Sequence, residues 1–98
     1  MTLARRETLC WALALISIEG MKFNPPSIVV HPGDNVQWKN KDVFPHTVTS
    51  DARGKFDSKE IPAGGLWTLK ITRKMAGSFP YKCGLHPTMT GTLDVSRK

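Results

Sequence analysis

The sequence has little cysteine, no apolar run long enough for a membrane span and no helical period, and each shortage narrows the possible folds. Its two cysteines are Cys10, near the N-terminus, and Cys83. If the first residues are removed on export, Cys83 has no disulfide partner, and a lone cysteine in an exported domain indicates a reactive or metal-bound thiol. The apolar stretch from Leu9 is too short to cross a bilayer, so we expect no stable membrane insertion. No stretch after residue 20 repeats apolar residues at the period of a helix.

The patterns of nucleic-acid binding and of the common enzyme classes are also missing. The chain carries 14 Lys and Arg against 8 Asp and Glu, a net charge of +6, but the basic residues are scattered and form no stripe interleaved with aromatics. No glycine-rich phosphate loop follows a strand, and no Ser, His and Asp arrangement stands out. We therefore expect no nucleic-acid partner, while the positive charge favours acidic protein partners.

The length of the chain fits one domain with one modest core. It has 98 residues, of which 40% are hydrophobic. Its start resembles a secretory leader, with two arginines, a short apolar stretch and small residues at Ala12 and Ala14. We predict a degenerate or truncated leader over residues 1–14, a single domain over residues 15–98, and a periplasmic or otherwise extracytoplasmic location.

From residue 15 onward the sequence has the rhythm of short strands separated by turns, recurring every eight to twelve residues. Val36 and Trp38 share one face of a strand, while Gln37 and Lys39 share the other. Phe56 and Ile61 are the expected anchors of the long middle connection. The predicted strands are LISIEGMKF, SIVV, NVQWKN, HTVTS, LWTLKIT, SFPYKC and GTLDVS. This rhythm predicts an all-β fold, a Greek-key β-sandwich of seven or eight strands, which we take to be antiparallel.

The stretch YKCGLHPTM places Cys83, His86 and Met89 at equal intervals, just before the last predicted strand. Residues three apart in extended chain are separated by about 10 Å, so these side chains meet only if the backbone curls. Gly84 and Pro87 favour such a curl. On its own the motif is also compatible with a buried cysteine, a surface histidine and a core methionine. A fourth group from elsewhere would favour a metal site, and His46, at the start of HTVTS, is the candidate.

The chemistry of these four side chains favours copper. One thiolate, two imidazoles and one thioether form a soft set, whereas structural zinc prefers Cys and His alone. Two histidines and a cysteine in a plane with a weak axial methionine describe a blue-copper electron-transfer site. Asp57 and Glu60 are expected to be ordinary solvated charges, and His31, in the predicted turn HPGD, to be exposed and not a ligand.

Over about five-sixths of its length, from Ile16 to the end, the chain resembles the cupredoxins of the plastocyanin and amicyanin type. The segments that carry the resemblance are GMKFNPPSIVVHPGDNVQWKNKD, PHTV, FDSKEIPAGGLWTLKI and GSFPYKCGLHPTMTGTLDV, and the evenly spaced Cys-x-x-His-x-x-Met loop is similar to that of amicyanins. The resemblance implies a type 1 site with one copper ion, alternating between Cu(I) and Cu(II). Its ligands would be His46, Cys83, His86 and Met89. Thr47 would stand where the family often has Asn.

The resemblance implies a small monomeric electron carrier that is not an enzyme. His46 would be the more buried imidazole and His86 the exit for the electron, with an apolar rim formed by Met21, Phe44, Pro45 and Pro87. The partners would be transient, acidic redox proteins such as a cytochrome, a dehydrogenase or an oxidase. The alternative is a periplasmic copper carrier or storage protein, which would favour a more open site. Multi-copper catalysis would need further histidines, and only His31 is left over.

Overall fold

The computed structural model describes residues 13–50 and 56–96, and within these residues the chain forms eight strands and no helix. The strands are β1 (Leu13–Ile18), β2 (Phe23–Asn24), β3 (Ser27–Val30), β4 (Asn35–Asn40), β5 (Thr49–Ser50), β6 (Leu66–Lys70), β7 (Gly77–Lys82) and β8 (Thr90–Val95). Among the described residues there is thus no helix with the length and hydropathy of a membrane span. The predicted all-β sandwich of seven or eight strands is confirmed.

The strands form two four-stranded sheets of mixed direction. The first has the order β2-β1-β4-β6 and the second the order β3-β8-β7-β5. β1 runs parallel to β4, and β3 runs parallel to β8, whereas the other pairs are antiparallel. The prediction of a purely antiparallel sandwich is therefore wrong for these two pairs. Parallel neighbours cannot be joined by a tight hairpin, and in both pairs the chain visits the other sheet between the two strands.

Alternation along β4 shows how the sequence builds the core. Val36, Trp38 and Asn40 point inward and are buried, while Gln37 is half-buried and Lys39 is exposed, as predicted. Because successive residues of a strand face opposite sides of a sheet, this order of apolar and polar residues fixes which face packs inward. The anchors Phe56 and Ile61 of the middle connection are also buried.

Trp38 of the first sheet packs edge-on against Tyr81 of the second sheet, with ring centroids 5.6 Å apart. The Trp38 Nε1–H donates a hydrogen bond of 3.4 Å to the Tyr81 hydroxyl. Phe23 meets the Tyr81 ring edge-on at 4.8 Å. Aromatic pairs in this arrangement stabilise a core beyond their buried area. Tyr81 therefore joins the two sheets at the centre of the sandwich.

Two predicted strands differ from the observed ones. LISIEGMKF is interrupted by a tight turn at Gly20 and Met21, both of which have positive φ, and it continues as β2. In HTVTS only Thr49 and Ser50 form a strand, because His46 pairs instead with Ile61 in an isolated bridge. The sequence could not show this, because β-branched residues favour extended backbone whether or not a partner strand is available.

β1 begins at Leu13, two residues before the predicted start of the domain. Leu13 and Ala14 pair with Asn35 and Val36 of β4, so both belong to the first sheet. The rest of the predicted leader, with Cys10, lies outside the described residues. The boundary between leader and domain stays a prediction.

The HPGD turn forms as predicted. The Asp34 N–H donates to the His31 carbonyl at 3.0 Å, and the His31 N–H donates to the Asp34 carboxylate at 2.9 Å. Gly33 has a φ of 99°, a conformation that glycine adopts without steric cost. The His31 side chain is 51% exposed. Its predicted exposure is therefore confirmed.

Candidate metal centre

The structure brings His46, Cys83 and His86 together at one end of the sandwich. Their potential ligand atoms all lie within 4.8 Å of one another. The Cys83 Sγ lies 3.6 Å from the His46 Nδ1 and 3.7 Å from the His86 Nδ1. The bond lengths of zinc serve here as typical values for a divalent first-row metal. Zinc binds imidazole nitrogen at about 2.0 Å and thiolate sulfur at about 2.3 Å. In a trigonal plane such bonds separate nitrogen from sulfur by about 3.7 Å, so these three atoms fit a single metal ion.

The loop between β7 and β8 makes the curl that the spacing of its residues required. The His86 N–H donates to the Cys83 carbonyl at 3.2 Å, and the Met89 N–H donates to the His86 carbonyl at 2.9 Å. The Cys83 N–H in turn donates to the Met89 carbonyl at 3.1 Å, which closes the loop. Cys83 and Met89 are both buried, whereas His86 is half-buried. The loop thus holds Cys83, His86 and Met89 in one closed turn of the backbone.

His46 enters from the other side, on the connection between β4 and β5. Its backbone exchanges two hydrogen bonds with Ile61, of 3.2 and 2.7 Å, which fix the position of its Cα. Its side chain is fully buried, and its ring lies 5.0 Å from the ring of His86. The expected difference between an enclosed His46 and a more accessible His86 is present in the structure.

Thr47 links the two segments that carry the candidates. Its N–H donates to the Cys83 Sγ at 3.3 Å, and its hydroxyl accepts a hydrogen bond from the Gly84 N–H at 2.7 Å. The same hydroxyl lies 2.9 Å from the hydroxyl of Thr49. Threonine at this position therefore makes the connection across the site that the sequence left uncertain.

Asp42 belongs to the site, although the sequence did not single it out. One of its carboxylate oxygens lies 2.8 Å from the His46 Nε2, on the side of the ring that faces away from Cys83. Burial works against the charged carboxylate, but hydrogen bonds from the Met21 and Gly20 N–H groups and from His46 outweigh it. The pKa of Asp42 therefore lies below its ordinary value.

Exposed apolar side chains lie close in the chain to the candidate ligands, and we call this set the rim. Of the predicted rim residues, Phe44 is 54% exposed and Met21 is 38% exposed, and Pro45 and Pro87 are exposed too. The structure adds two residues that the sequence did not indicate, Val43 and Leu85, which are 81% and 45% exposed. Most of these residues belong to the loops that carry His46 and His86, and Met21 is held to them through Asp42.

A family model described as a cupredoxin-like domain matches residues 8–95. The chain therefore belongs to the cupredoxin-like family, whose members share this sandwich. Among individual relatives, it is similar to the amicyanin of Paracoccus versutus, with 34% identity over 89 residues covering 83% of this chain. It is similar to the amicyanin of Paracoccus denitrificans as well, with 30% identity over 83 residues and the same coverage. The chain spans 63% of the length of each of these two curated relatives.

The fold agrees with solved structures of amicyanin. The crystal structure of amicyanin from Paracoccus versutus superimposes with a TM-score of 0.75 at 27% identity, covering 86% of this chain and 81% of the other. The prediction that the chain is a cupredoxin of the amicyanin type is confirmed.

Proposed function

We propose that the protein is a small blue copper protein that carries one electron between redox partners, with His46, Cys83, His86 and Met89 as the ligands of one copper ion. The observation that carries this proposal is the placement of two imidazole nitrogens around one sulfur, at 3.6 and 3.7 Å, with a buried methionine in the same loop. Two imidazoles, a thiolate and a thioether are the ligand set of blue-copper sites. Family membership and the amicyanin relatives support the same conclusion.

Copper, when bound, would alternate between Cu(I) and Cu(II) and so accept and release the electron. The surrounding chain keeps the ligand positions nearly fixed during this change. His46 is fixed by its backbone bonds to Ile61, and the Cys83 sulfur is held by the Thr47 N–H. Little movement of the ligands means little energy spent on rearrangement when the electron arrives.

His86 is the proposed exit for the electron. It is the more accessible of the two imidazoles, and two of the exposed rim residues, Leu85 and Pro87, are its neighbours in the chain. Transient redox complexes use small contacts of this kind. The net charge of +6 would accelerate encounter with an acidic partner such as a cytochrome, a dehydrogenase or an oxidase. We propose that the protein meets these partners as a monomer and is not itself an enzyme.

Copper carriage is the rival function, and burial argues against it. A carrier has to release its ion readily, whereas His46 and Cys83 are both fully buried here. Measuring the transfer of Cu(I) to a chelator separates the two functions. Slow transfer together with fast electron exchange supports electron carriage, and the reverse result supports copper delivery.

An extracytoplasmic location is proposed from the leader-like pattern of the first residues. Because Leu13 and Ala14 pair with β4, a cleavage that leaves β1 whole would fall before Leu13. The intact mass of the protein recovered from its host compartment tests both points.

The decisive experiment is titration of the metal-free protein with Cu(II), followed by visible absorption. We expect an intense thiolate-to-copper band that saturates at one equivalent. Cys83→Ser removes the thiolate and should abolish the band, while Thr90→Ser, on an exposed residue beyond the loop, should retain it. A colourless one-to-one complex of the wild-type protein would contradict the proposal.

A further inference from the structure

We propose that Asp42 is a positioning residue, which holds His46 in the tautomer that leaves Nδ1 free for the metal and ties this imidazole to the Gly20–Met21 turn. This inference rests on one part of the proposed function, namely that His46 is a metal ligand. Its evidence is a set of hydrogen bonds that all end on one carboxylate.

The first step concerns the ring of His46. Its Nε2 lies 2.8 Å from the Asp42 Oδ2, and the ring is fully buried. A carboxylate only accepts hydrogen bonds, and a neutral imidazole has one donor and one acceptor nitrogen. The hydrogen therefore sits on Nε2, and the lone pair sits on Nδ1, which faces the Cys83 Sγ at 3.6 Å. Asp42 thus selects the nitrogen that is free to bind a metal.

The second step concerns what holds Asp42. Its Oδ1 accepts a hydrogen bond of 2.7 Å from the Gly20 N–H, and its Oδ2 accepts one of 3.0 Å from the Met21 N–H. Both residues have positive φ, at 64° and 62°, so the turn presents two consecutive N–H groups to the same carboxylate. For Met21 this conformation is uncommon and needs support from its surroundings. The Asp42 N–H in turn donates to the Asn40 Oδ1 at 3.0 Å.

The third step is the electrostatic consequence. A carboxylate that accepts a hydrogen bond from a ligand imidazole fixes the orientation and the tautomer of the ring. The negative charge of Asp42 attracts a doubly charged ion more strongly than a singly charged one. Asp42 should therefore stabilise bound Cu(II) more than bound Cu(I). The Oδ2 atom also contacts the N–H of Met21, which belongs to the rim. Asp42 therefore connects the enclosed ligand with the surface at which a partner would dock.

The test begins with the metal-free wild-type protein, so it does not depend on copper binding. Imidazole nitrogen NMR at neutral pH should show His46 with its hydrogen on Nε2. Asp42→Asn removes the negative charge and places the donor NH₂ of an amide among three other donors, the N–H groups of Gly20, Met21 and His46. The Nε2–H tautomer of His46 should therefore be less populated in this variant. The matched control is Asp57→Asn, because Asp57 accepts a bond of 2.8 Å from the Lys59 N–H on an exposed loop. The control should leave the His46 spectrum unchanged.

The second readout is the affinity for the two copper states, measured by competition. Loss of such an outer partner typically weakens metal binding by about 10- to 100-fold, and we expect this loss for Cu(II) in Asp42→Asn, with a smaller loss for Cu(I). Asp42→Glu keeps the charge and should recover part of both effects. If Asp42→Asn does not fold, the wild-type spectrum and Asp42→Glu carry the test. A wild-type His46 with its hydrogen on Nδ1, or a folded Asp42→Asn with an unchanged ratio of Cu(II) to Cu(I) affinity, overturns the proposal.

The two proposals fail in distinguishable ways. If the wild-type protein binds no copper but His46 has the Nε2–H tautomer, the proposed function is wrong and the positioning role of Asp42 stands. If the protein is blue but His46 has the other tautomer, the function stands and the role of Asp42 is wrong.

Discussion

The Thr47 hydroxyl accepts the Gly84 N–H at 2.7 Å and thereby fastens the loop of Cys83, His86 and Met89 to the segment that carries His46. These two segments are far apart in the chain, and the contact lies beside the site. The spacing is tight, because a Cβ added to Gly84 would lie 3.3 Å from this hydroxyl oxygen. A side chain at position 84 would therefore press against the same contact that joins the segments.

Thr47→Val replaces the hydroxyl with a methyl group of similar size, so it tests this contact directly. It leaves the Gly84 N–H without its acceptor, and we expect the metal-free protein to lose about 1 kcal/mol of unfolding free energy. Thr47→Ser keeps an acceptor and should lose less. Chemical denaturation of the three proteins measures the difference. Equal stability of the Val and wild-type proteins would show that the contact contributes nothing.

Met89→Leu tests whether the buried methionine is a ligand. The swap nearly conserves volume, so the metal-free protein should lose less than about 1.5 kcal/mol of stability. The blue colour should remain, because the thiolate is intact, and the reduction potential should rise, because Cu(II) loses a donor. Voltammetry of the copper-loaded protein measures the potential. An unchanged potential would mean that Met89 is a core residue only.

Gly91→Ala tests the packing between β7 and β8. Gly91 lies directly opposite Tyr81, and an added Cβ would come within 2.5 Å of the Tyr81 ring and hydroxyl. Because the ring is buried between the sheets, it has little room to move, and we expect a loss of about 1–3 kcal/mol. Thr90→Ala, on the exposed neighbouring residue, is the control. If both variants unfold at the same denaturant concentration, the ring is more adaptable than the structure indicates.

Alkaline titration tests the environment of Tyr81. Burial raises the pKa of Tyr81 to about 12, although the hydrogen bond from Trp38 lowers it slightly. The folded protein therefore holds the Tyr81 proton more tightly than the unfolded chain does, and this difference stabilises the fold. The contribution is fully present below pH 10.0, the ordinary pKa of tyrosine. This contribution is then lost as pH rises towards about 12. Phenolate absorption should therefore appear together with unfolding, and titration near pH 10 in a folded protein would contradict the burial of this ring.

Phe44→Ser tests whether the rim is the contact surface for electron exchange, and the natural partner need not be known. Electron self-exchange between oxidised and reduced copies needs two sites to approach each other through their exposed ends. Loss of a central aromatic side chain should slow this exchange about tenfold, which corresponds to ~1.4 kcal/mol. Val29→Ser is the control, because Val29 is 63% exposed on β3 and lies outside the rim. NMR line broadening in mixtures measures the rate, and equal rates for both variants would exclude the rim as the contact surface.

The sequence could single out Cys83, His86 and Met89 as candidates because their chemistry and spacing are local. The spacing of Cys83, His86 and Met89 required a curl, and the turns within the loop provide it. The alternation around Trp38 likewise identified the buried face of β4, because a strand has a fixed period of two residues.

Other features depend on contacts between distant segments, which no local pattern records. β1 runs parallel to β4 and β3 runs parallel to β8, and these directions depend on the path of the chain between the paired strands, which no pattern within either strand records. Asp42 was missed because its role requires the Gly20–Met21 turn, about twenty residues earlier in the chain, to converge on its carboxylate. An acidic residue four positions before a candidate histidine was the available signal, and on its own it is a common surface pattern.

The parallel pairing of β3 with β8 has a consequence for the order in which the chain acquires structure during synthesis. β3 lies at the edge of its sheet, and within the described residues its neighbour in that sheet is β8, which follows directly after the loop of Cys83 and Met89. The ribosome releases β3 long before β8, so β3 remains unpaired with β8 while most of the chain is still being synthesised. The second sheet and the metal loop are therefore expected to form in the same late event. A copper ion that arrived earlier would meet separate histidine and cysteine side chains instead of a prepared site.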